Sequence, residues 1–486
     1  MDLNSLLETV GLRIVSRSGD GNPNIDECAI DSRLVKNGSL FIAIPGTKVK
    51  GEAFVAEAVA RGAKAIVSEG APTITGIPWV QVDNARSAPG MLGKALYGIQ
   101  LESMQMIGIT GTNGKTTTAH LFKKLCEQRF NPANVWMFGT IDYQLGNETL
   151  PAAHTTPEAH EIFRLMGCAA KRPEAVVMEV SSHALALDRV GGMAYDLALL
   201  TNITQDHLDF HETMEAYYHA KKRLFTDYLK ANGAAVVNID DPWGRRLAGE
   251  LKDKTVMTYG TSTDAAIRIV NHECSWDGSV VELSVEGTQQ EFRCALRGRF
   301  NVYNMTALVA GSVALGYDRA SVEKALGAVE TVPGRMDRVP LTAPFAVIVD
   351  YAHTPDALVN ILQTARPLTK GKLICVFGCG GDRDRTKRPL MGTAVATWAD
   401  EAIVTSDNPR SERPIAVIEE IIKGIPLDFP HVIVSDRRSA IEKALAMARQ
   451  GDCVVIAGKG HETYQEIQGV REPFNDKDIV IESYHG

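Results

Sequence analysis

The segment Thr110-Gly111-Thr112-Asn113-Gly114-Lys115-Thr116-Thr117 joins a short apolar run, residues 104–109, to helical periodicity through Leu121, Phe122 and Leu125. A glycine-rich loop between strand and helix can wrap backbone N–H groups around a phosphate. The glycines allow close approach, Lys115 adds a point charge for the outer phosphates, and the Thr116 hydroxyl can reach Mg²⁺ at the helix N-terminus. The strict phosphate-loop pattern asks for Gly five residues before Gly114, where this chain has Ile109, and Gly stands at 111 instead. A plain turn would not require Gly-Lys-Thr-Thr, so an ATP site is expected here.

Glu179 ends an apolar run and precedes Ser181-Ser182-His183, so a carboxylate is expected at the mouth of the same sheet. There it could hold Mg²⁺, or be a solvated strand end or a helix cap. His207 and His211 stand four apart in Asp206-His207-Leu208-Asp209-Phe210-His211, which on a helix would share one face and could ligate zinc. No third soft ligand stands nearby, so His207 is read as a Mg²⁺ ligand beside Glu179 and His211 as structural. Lys221 and Lys222 follow, and on spacing alone they read as a charged surface face.

The elements that must carry these groups alternate strand and helix. Residues 40–44, 63–67 and 79–82 read as strands, with a helix over Phe54, Val55, Ala58 and Val59, so the first hundred residues form a small α/β domain ending near Leu101. Strands at 175–180, 197–201 and 234–239 continue the segment that opens with the phosphate loop, as a mostly parallel sheet. Period-two runs at 280–285 and 291–296 predict an antiparallel addition, followed by a helix over 304–315. After Pro333-Gly334-Arg335, five strands at 346–350, 372–377, 401–405, 431–434 and 453–457 have helices in every interval, which predicts an open parallel sheet. Such sheets bind ligands beyond the carboxyl ends of their strands, so the loops to inspect are 350–353, 378–383, 406–410 and 458–462.

The fold class is therefore α/β, in three domains. These are a small N-terminal α/β domain (1–101), a central P-loop ATPase with a mostly parallel sheet (102–332) and a C-terminal Rossmann-like open sheet (333–486). A length of 486 residues suits three cores, and 45% apolar with 23% charged residues excludes a disordered chain. A net charge of −8 opposes non-specific binding to nucleic acid or an anionic membrane. Eight cysteines with no Cys-x-x-Cys pair fit a reducing compartment, and the apolar stretch 307–316 is too short to span a bilayer. A cytoplasmic protein without membrane insertion is expected.

Taken in order, Gly111-Thr-Asn-Gly-Lys-Thr-Thr117, Glu179-Val-Ser-Ser-His183, Asp206-His207-Leu208-Asp209, Asn301-Val-Tyr-Asn304 and Asp407-Asn-Pro-Arg410 resemble the Mur ligase family over nearly the whole chain. The Asp-Asn-Pro-Arg loop is similar to that of members that add meso-2,6-diaminopimelate to UDP-N-acetylmuramoyl-L-alanyl-D-glutamate. The resemblance implies an ADP-forming ligase of peptidoglycan synthesis, serving cell shape and division, with a UDP-sugar domain, an ATPase domain and an amino-acid domain. In such ligases the substrate carboxylate attacks the γ-phosphate of ATP, and the amine displaces phosphate from the acyl phosphate. A monomer working on small molecules alone is implied.

By the same resemblance, residues 111–117 hold the phosphates. Two Mg²⁺ ions are reached by Thr116 on one side and by Glu179 with His207 on the other. Lys221 matches the position that family members carbamylate with CO₂ to N6-carboxylysine, turning a cation that would repel Mg²⁺ into an anion with hard oxygen ligands. Asn304 falls near adenine, Arg335 near the phosphates and Asp350 near the ribose, with Asn301 and His353 beside them. Ile30, Ser32, Thr47, Lys48 and Val49 resemble uridine diphosphate contacts, and Thr155, Thr156, Ser181 and Arg189 contacts to the muramoyl peptide. Leu187 and His154 stand where glutamine and asparagine occur in some relatives. Arg383, Asp407, Asn408, Pro409, Arg410, Gly458 and Glu462 would receive the amino acid, Arg410 as a buried fork for the second carboxylate that lysine lacks. By itself an Asn-Pro step near an Arg is usually only a turn. The alternatives are the lysine-adding sister ligase, folylpolyglutamate synthase, which the Asp31-Ser32-Arg33 domain disfavours, and a non-catalytic nucleotide-binding regulator.

Overall fold

Strands buried on both faces read as continuous apolar runs, and three sheets of the protein are built around such runs. The computed structural model describes residues 1–46 and 49–485, so the expectations for Thr47 and Lys48 lie outside the described residues. By internal contacts the chain forms two compact units. One is Met1–Thr110 with Arg129–Ala198 and Ala220–Ala234, and the other is Gly111–Gln128 with Leu199–His219 and Ala235–Gly486.

In the first unit, the N-terminal sheet has the order Ile14–Ser18, Trp79–Val82, Ala65–Ser68, Ser39–Ala43, Glu27–Ala29, parallel except for its first strand. Leu40, Ile42, Val67 and Val80 fill one face, and Phe41, Ala43, Ile66 and Trp79 the other. The strand Gln105–Thr110 pairs in parallel with Ala175–Glu179, which pairs in parallel with Val135–Phe138. Two further strands, Asp142–Leu145 and Glu148–Pro151, extend that edge antiparallel.

In the second unit, the helix Lys115–Cys126 follows the phosphate loop. The expected antiparallel addition is the meander Ile267–Ser275, Gly278–Val285, Thr288–Cys294. The helix expected at 304–315 is Arg299–Ala314 and starts more than a turn earlier, because Gly298 enters it at φ +95°. That shift makes Asn301 and Asn304 residues of the helix, both buried.

The C-terminal sheet has the order Asp337–Arg338, Ala346–Asp350, Cys453–Ala457, Leu373–Phe377, Glu401–Val404, His431–Ile433. All five expected strands are present and parallel, with the two-residue strand antiparallel at the edge. Cys453–Ala457, the last of the five parallel strands along the chain, lies between the first two, so the loops after these three strands share one crevice edge. Among the described residues no helix is long and apolar enough to cross a membrane.

Candidate functional site

The phosphate loop is fixed by close backbone approach. Gly111 has φ +146°, and a Cβ there would meet Thr201 Oγ1 at 1.8 Å. At Gly114, φ +88°, it would meet Asn304 Oδ1 at 2.7 Å. Lys115 Nζ donates to the carbonyls of Gly111 and Thr112, both at 2.9 Å, so its charge stays over the loop mouth. Asn113 Nδ2 donates to Asp356 Oδ2 (2.7 Å), and the Thr112 hydroxyl shares a 3.1 Å bond with Tyr217. Thr116 and Thr117 are buried, and Arg335 Nη2 donates to Thr116 Oγ1 at 3.0 Å.

Asn304 Oδ1 accepts from Thr118 (3.2 Å), its Nδ2 donates to Asn301 Oδ1 (2.9 Å), and Asn301 Nδ2 donates to the Arg297 carbonyl (2.8 Å). The two asparagines thus brace the underside of the loop. Asp350 accepts from the N–H groups of Met336 (2.6 Å) and Ala352 (2.8 Å), which ties the Arg335 turn to its strand end. Burial raises its carboxyl pKa, with Arg335 opposing. Burial lowers that of His353, whose Nδ1 meets the Tyr351 carbonyl at 2.7 Å. The Arg335 guanidinium covers the Tyr351 ring at 4.7 Å.

His207 has φ +56° and caps the four-residue helix Leu208–His211, with its Nε2 3.4 Å from Asp206 Oδ2. His211 is buried against Phe210 and Tyr217, 4.8 and 5.1 Å between ring centroids. The two histidines therefore do not present a shared ligand face. Among the described residues no group of three or more His, Cys, Asp or Glu could hold a metal ion.

At the carboxyl edge of the C-terminal sheet the expected loops meet. Asp407 Oδ1 accepts from Asn408 N (2.6 Å), and a Cβ at Gly458, φ +118°, would meet Asp407 Oδ2 at 2.3 Å. Asn408 Nδ2 donates to Glu462 Oε2 at 2.7 Å. Arg410 has φ +51°, held by backbone bonds with Glu466 (3.1 Å) and Gln468 (2.6 Å) of the hairpin Tyr464–Ile467 and Val470–Pro473. Arg410 is half-buried rather than buried as expected, bridging Ile467 of that hairpin through its backbone, and its Nη1 donates to the Gly381 carbonyl at 2.7 Å. Pro409 is buried, its carbonyl pressed on Gly381, whereas Arg383 is exposed.

In the first unit Glu179 is 1% exposed, and its oxygens accept from Thr140 N (2.9 Å) and Thr140 Oγ1 (3.0 Å). It is neither a solvated strand end nor a cap, since Ser181 caps the helix Ser182–Ala186. The Thr155 hydroxyl lies 3.1 Å from Thr140 Oγ1, which can accept its proton, and Thr156 Oγ1 donates to the Glu179 carbonyl (2.9 Å) while accepting from Ser181 N (3.0 Å). Arg189 lies 3.5 Å from Glu158, and burial lowers its pKa. Lys221 is 2% exposed, which overturns the surface reading of that lysine, while Lys222 is half-buried. Ser32 is buried and donates to Glu57 (2.8 Å), Ile30 is half-buried and Val49 exposed. His154 is exposed, and the Leu187 carbonyl accepts from Arg86 Nε.

Sequence reasoning missed Thr140, Lys459, Arg437 and the fully buried Arg388, which pairs with Glu412 and Glu420 at 2.7 and 2.8 Å. Glu412 in turn accepts from Asp382 N at 2.7 Å, bracing the 378–383 loop. Lys459 and Arg388 lie inside glycine-rich or basic stretches that look solvated, and the only available signal was their place at a strand end or a helix start.

A Mur ligase middle domain matches residues 109–311, a Mur ligase glutamate ligase domain 334–460, and a Mur ligase family catalytic domain 24–96. The chain belongs to the Mur ligase family and has its three-domain α/β fold. It is 43% identical over 461 residues to UDP-N-acetylmuramoyl-L-alanyl-D-glutamate--2,6-diaminopimelate ligase of Aquifex aeolicus, covering 94% of this chain and 93% of the other. The protein of the same name from Gloeobacter violaceus is 43% identical over 472 residues, covering 95% and 94%. A solved structure of a ligase of that name superposes with a TM-score of 0.65 at 32% identity, covering 95% of both chains.

Proposed function

We propose that this chain is an ATP-dependent ligase that adds meso-2,6-diaminopimelate to UDP-N-acetylmuramoyl-L-alanyl-D-glutamate in peptidoglycan precursor synthesis. The observation that carries the reading is the loop cluster in which Asp407, Asn408, Arg410, Gly458 and Glu462 meet at one strand edge, with Arg410 held in a left-handed backbone. Residues 111–117 grip the ATP phosphates, with Lys115 drawing charge from the γ-phosphate as the D-glutamyl carboxylate attacks it. Arg335 adds a second cation over the loop, and Asp350 holds the Arg335 turn and faces the ribose. Asn301, Asn304 and His353 complete the nucleotide site. The amine of the amino acid then attacks the acyl phosphate, and orientation by the strand-end loops supplies much of the rate.

By the family resemblance Thr116 and His207, and likewise Glu179 and a carbamylated Lys221, are proposed as Mg²⁺ ligands; the hydroxyl, carboxylate and carbamate oxygens would be hard donors of the kind Mg²⁺ takes, and the His207 imidazole a borderline one. When bound, two such ions would neutralise the phosphate oxygens. Ile30, Ser32, Thr47, Lys48 and Val49 are proposed for the uridine diphosphate, and Thr155, Thr156, Ser181 and Arg189 for the peptidyl acceptor. Arg383 and Pro409 line the amino-acid side. The domain limits 1–101, 102–332 and 333–486, a monomeric state and a cytoplasmic location belong to the same proposal.

Phosphate release with ATP, Mg²⁺ and the acceptor, comparing meso-diaminopimelate with L-lysine, tests it. Preference for diaminopimelate is the expected result. Preference for lysine moves the chain to the sister ligase, and no stimulation by either amino acid overturns the acceptor assignment in favour of a nucleotide-binding regulator.

A further inference from the structure

Lys459 is wholly buried, with 0% side-chain exposure, in the loop after Cys453–Ala457. Its Nζ donates to Glu462 Oε2 at 2.8 Å and to Asn408 Oδ1 at 3.0 Å, and it lies 5.5 Å over the Tyr464 ring. Asn408 Nδ2 donates to that same Glu462 oxygen at 2.7 Å, and Asn408 Oδ1 also accepts from Glu466 N at 2.9 Å. Two donors thus converge on Oε2, while Glu462 Oε1 accepts no hydrogen bond among the described residues and the side chain keeps 17% exposure. A lysine at this depth is retained only when paired, and here the pairing fixes which carboxylate oxygen points outward.

The buried cations beside these loops are each cancelled by a carboxylate, Lys459 by Glu462 at 2.8 Å and Arg437 by Asp476 at 2.7 Å. A neutral zwitterion, offering one ammonium and one carboxylate, suits such a surface better than a net cation.

We infer that Lys459 is a positioning residue for amino-acid specificity: it holds Glu462 so that Oε1 accepts the distal ammonium of diaminopimelate while Arg410 takes the distal carboxylate. This rests on the ligase reading above. Neither Arg410 alone nor the loop's glycines would distinguish diaminopimelate from 2-aminopimelate, which keeps the distal carboxylate and lacks the distal amine. Glu462, held by Lys459, makes that distinction.

Steady-state phosphate release by the full-length protein, with meso-diaminopimelate or 2-aminopimelate as the varied amino acid, tests the inference. In Lys459→Met the KM for diaminopimelate should rise about 10- to 100-fold, the loss expected for one charged hydrogen bond. The KM values for 2-aminopimelate and ATP should stay near those of the unaltered protein. Lys459→Gln, which can still bond Asn408 but carries no charge, should lose the same discrimination and serves if the methionine variant does not fold. An equal rise for both amino acids, or no change for either, overturns the role of Lys459. If the unaltered protein releases no phosphate in response to diaminopimelate, the ligase reading itself has failed.

Discussion

Arg410 combines half-burial with a backbone at φ +51°, a conformation that a non-glycine residue keeps only when its surroundings impose it. One Nη bond goes to the Gly381 carbonyl, and under the proposed function the rest of the fork would receive the distal carboxylate of the amino acid. Arg410→Ala should lower kcat/KM for diaminopimelate at least about 100-fold while leaving the KM for ATP unchanged, since a bidentate charged pair is lost. Arg410→Lys should recover little of it, because an ammonium lacks the planar fork. Steady-state kinetics with each substrate varied separates the two effects. Lys221 is 2% exposed, and the carbamate proposed for it would turn a cation into an anion. Lys221→Ala should abolish phosphate release, and added formate or acetate should restore part of it by supplying a loose carboxylate; no rescue at any concentration would remove the carbamate role.

At the scale of elements, the strand-end loops 406–410 and 458–462 are tied to the helix Asp476–His485. Arg437, which opens the helix Arg437–Met447, forms a fully buried pair with Asp476 of the C-terminal helix Asp476–His485, and neither side chain has any exposure. The same guanidinium donates to the carbonyls of Ala457 (3.0 Å) and Ser406 (3.4 Å), the residues just before Gly458 and Asp407. Asp476→Ala leaves a buried cation unpaired and should cost about 3–5 kcal/mol of unfolding free energy, read by urea denaturation. Residual folded protein should show a raised KM for diaminopimelate. None of this clasp was legible in the sequence, because 39 residues separate the partners and each lies in an ordinary helical start. The five parallel strands of the C-terminal sheet were legible, because burial on both faces demands unbroken apolar runs such as Cys453–Ala457. The edge strands Glu148–Pro151 and Val470–Pro473 carry no such signal, since all their residues are exposed and polar types suffice there. The phosphate loop and the Asp-Asn-Pro-Arg loop could be located by residue type, but the burial of Lys221 and Lys459 could not, since a lysine in a helix or glycine-rich loop is ordinarily solvated.

At the scale of the whole molecule, the first unit fastens the N-terminal hundred residues to the domain that comes after them in the chain. Arg86 donates to the Leu187 carbonyl and to Glu158 (2.7 Å), while helix Ala88–Leu96 presses its backbone on that domain. A Cβ at Gly90 would fall 1.8 Å from the Gly191 carbonyl oxygen, and one at Gly93 would fall 2.9 Å from His160 Cα. His160 is therefore sealed in this joint, and its Nδ1 has no hydrogen-bond partner among the described residues. Burial, helped by Arg164 and Arg86, brings its pKa from 6.5 down to about 4. In the unfolded chain the ring gains a proton as pH falls below 6.5, whereas the folded ring resists until about 4. The stability this confers is complete above pH 6.5 and is lost progressively as pH falls toward 4, reaching a deficit of about 3 kcal/mol. Between about pH 7 and pH 5 the loss should be about 2 kcal/mol. His160→Leu removes the titrating group from the joint, so its urea-unfolding free energy should fall less than that of the unaltered protein over that interval, by about the same amount. Equal pH slopes for the two proteins would mean that the domain joint already admits a proton in the folded state, and acid sensitivity would then have to arise elsewhere in the chain.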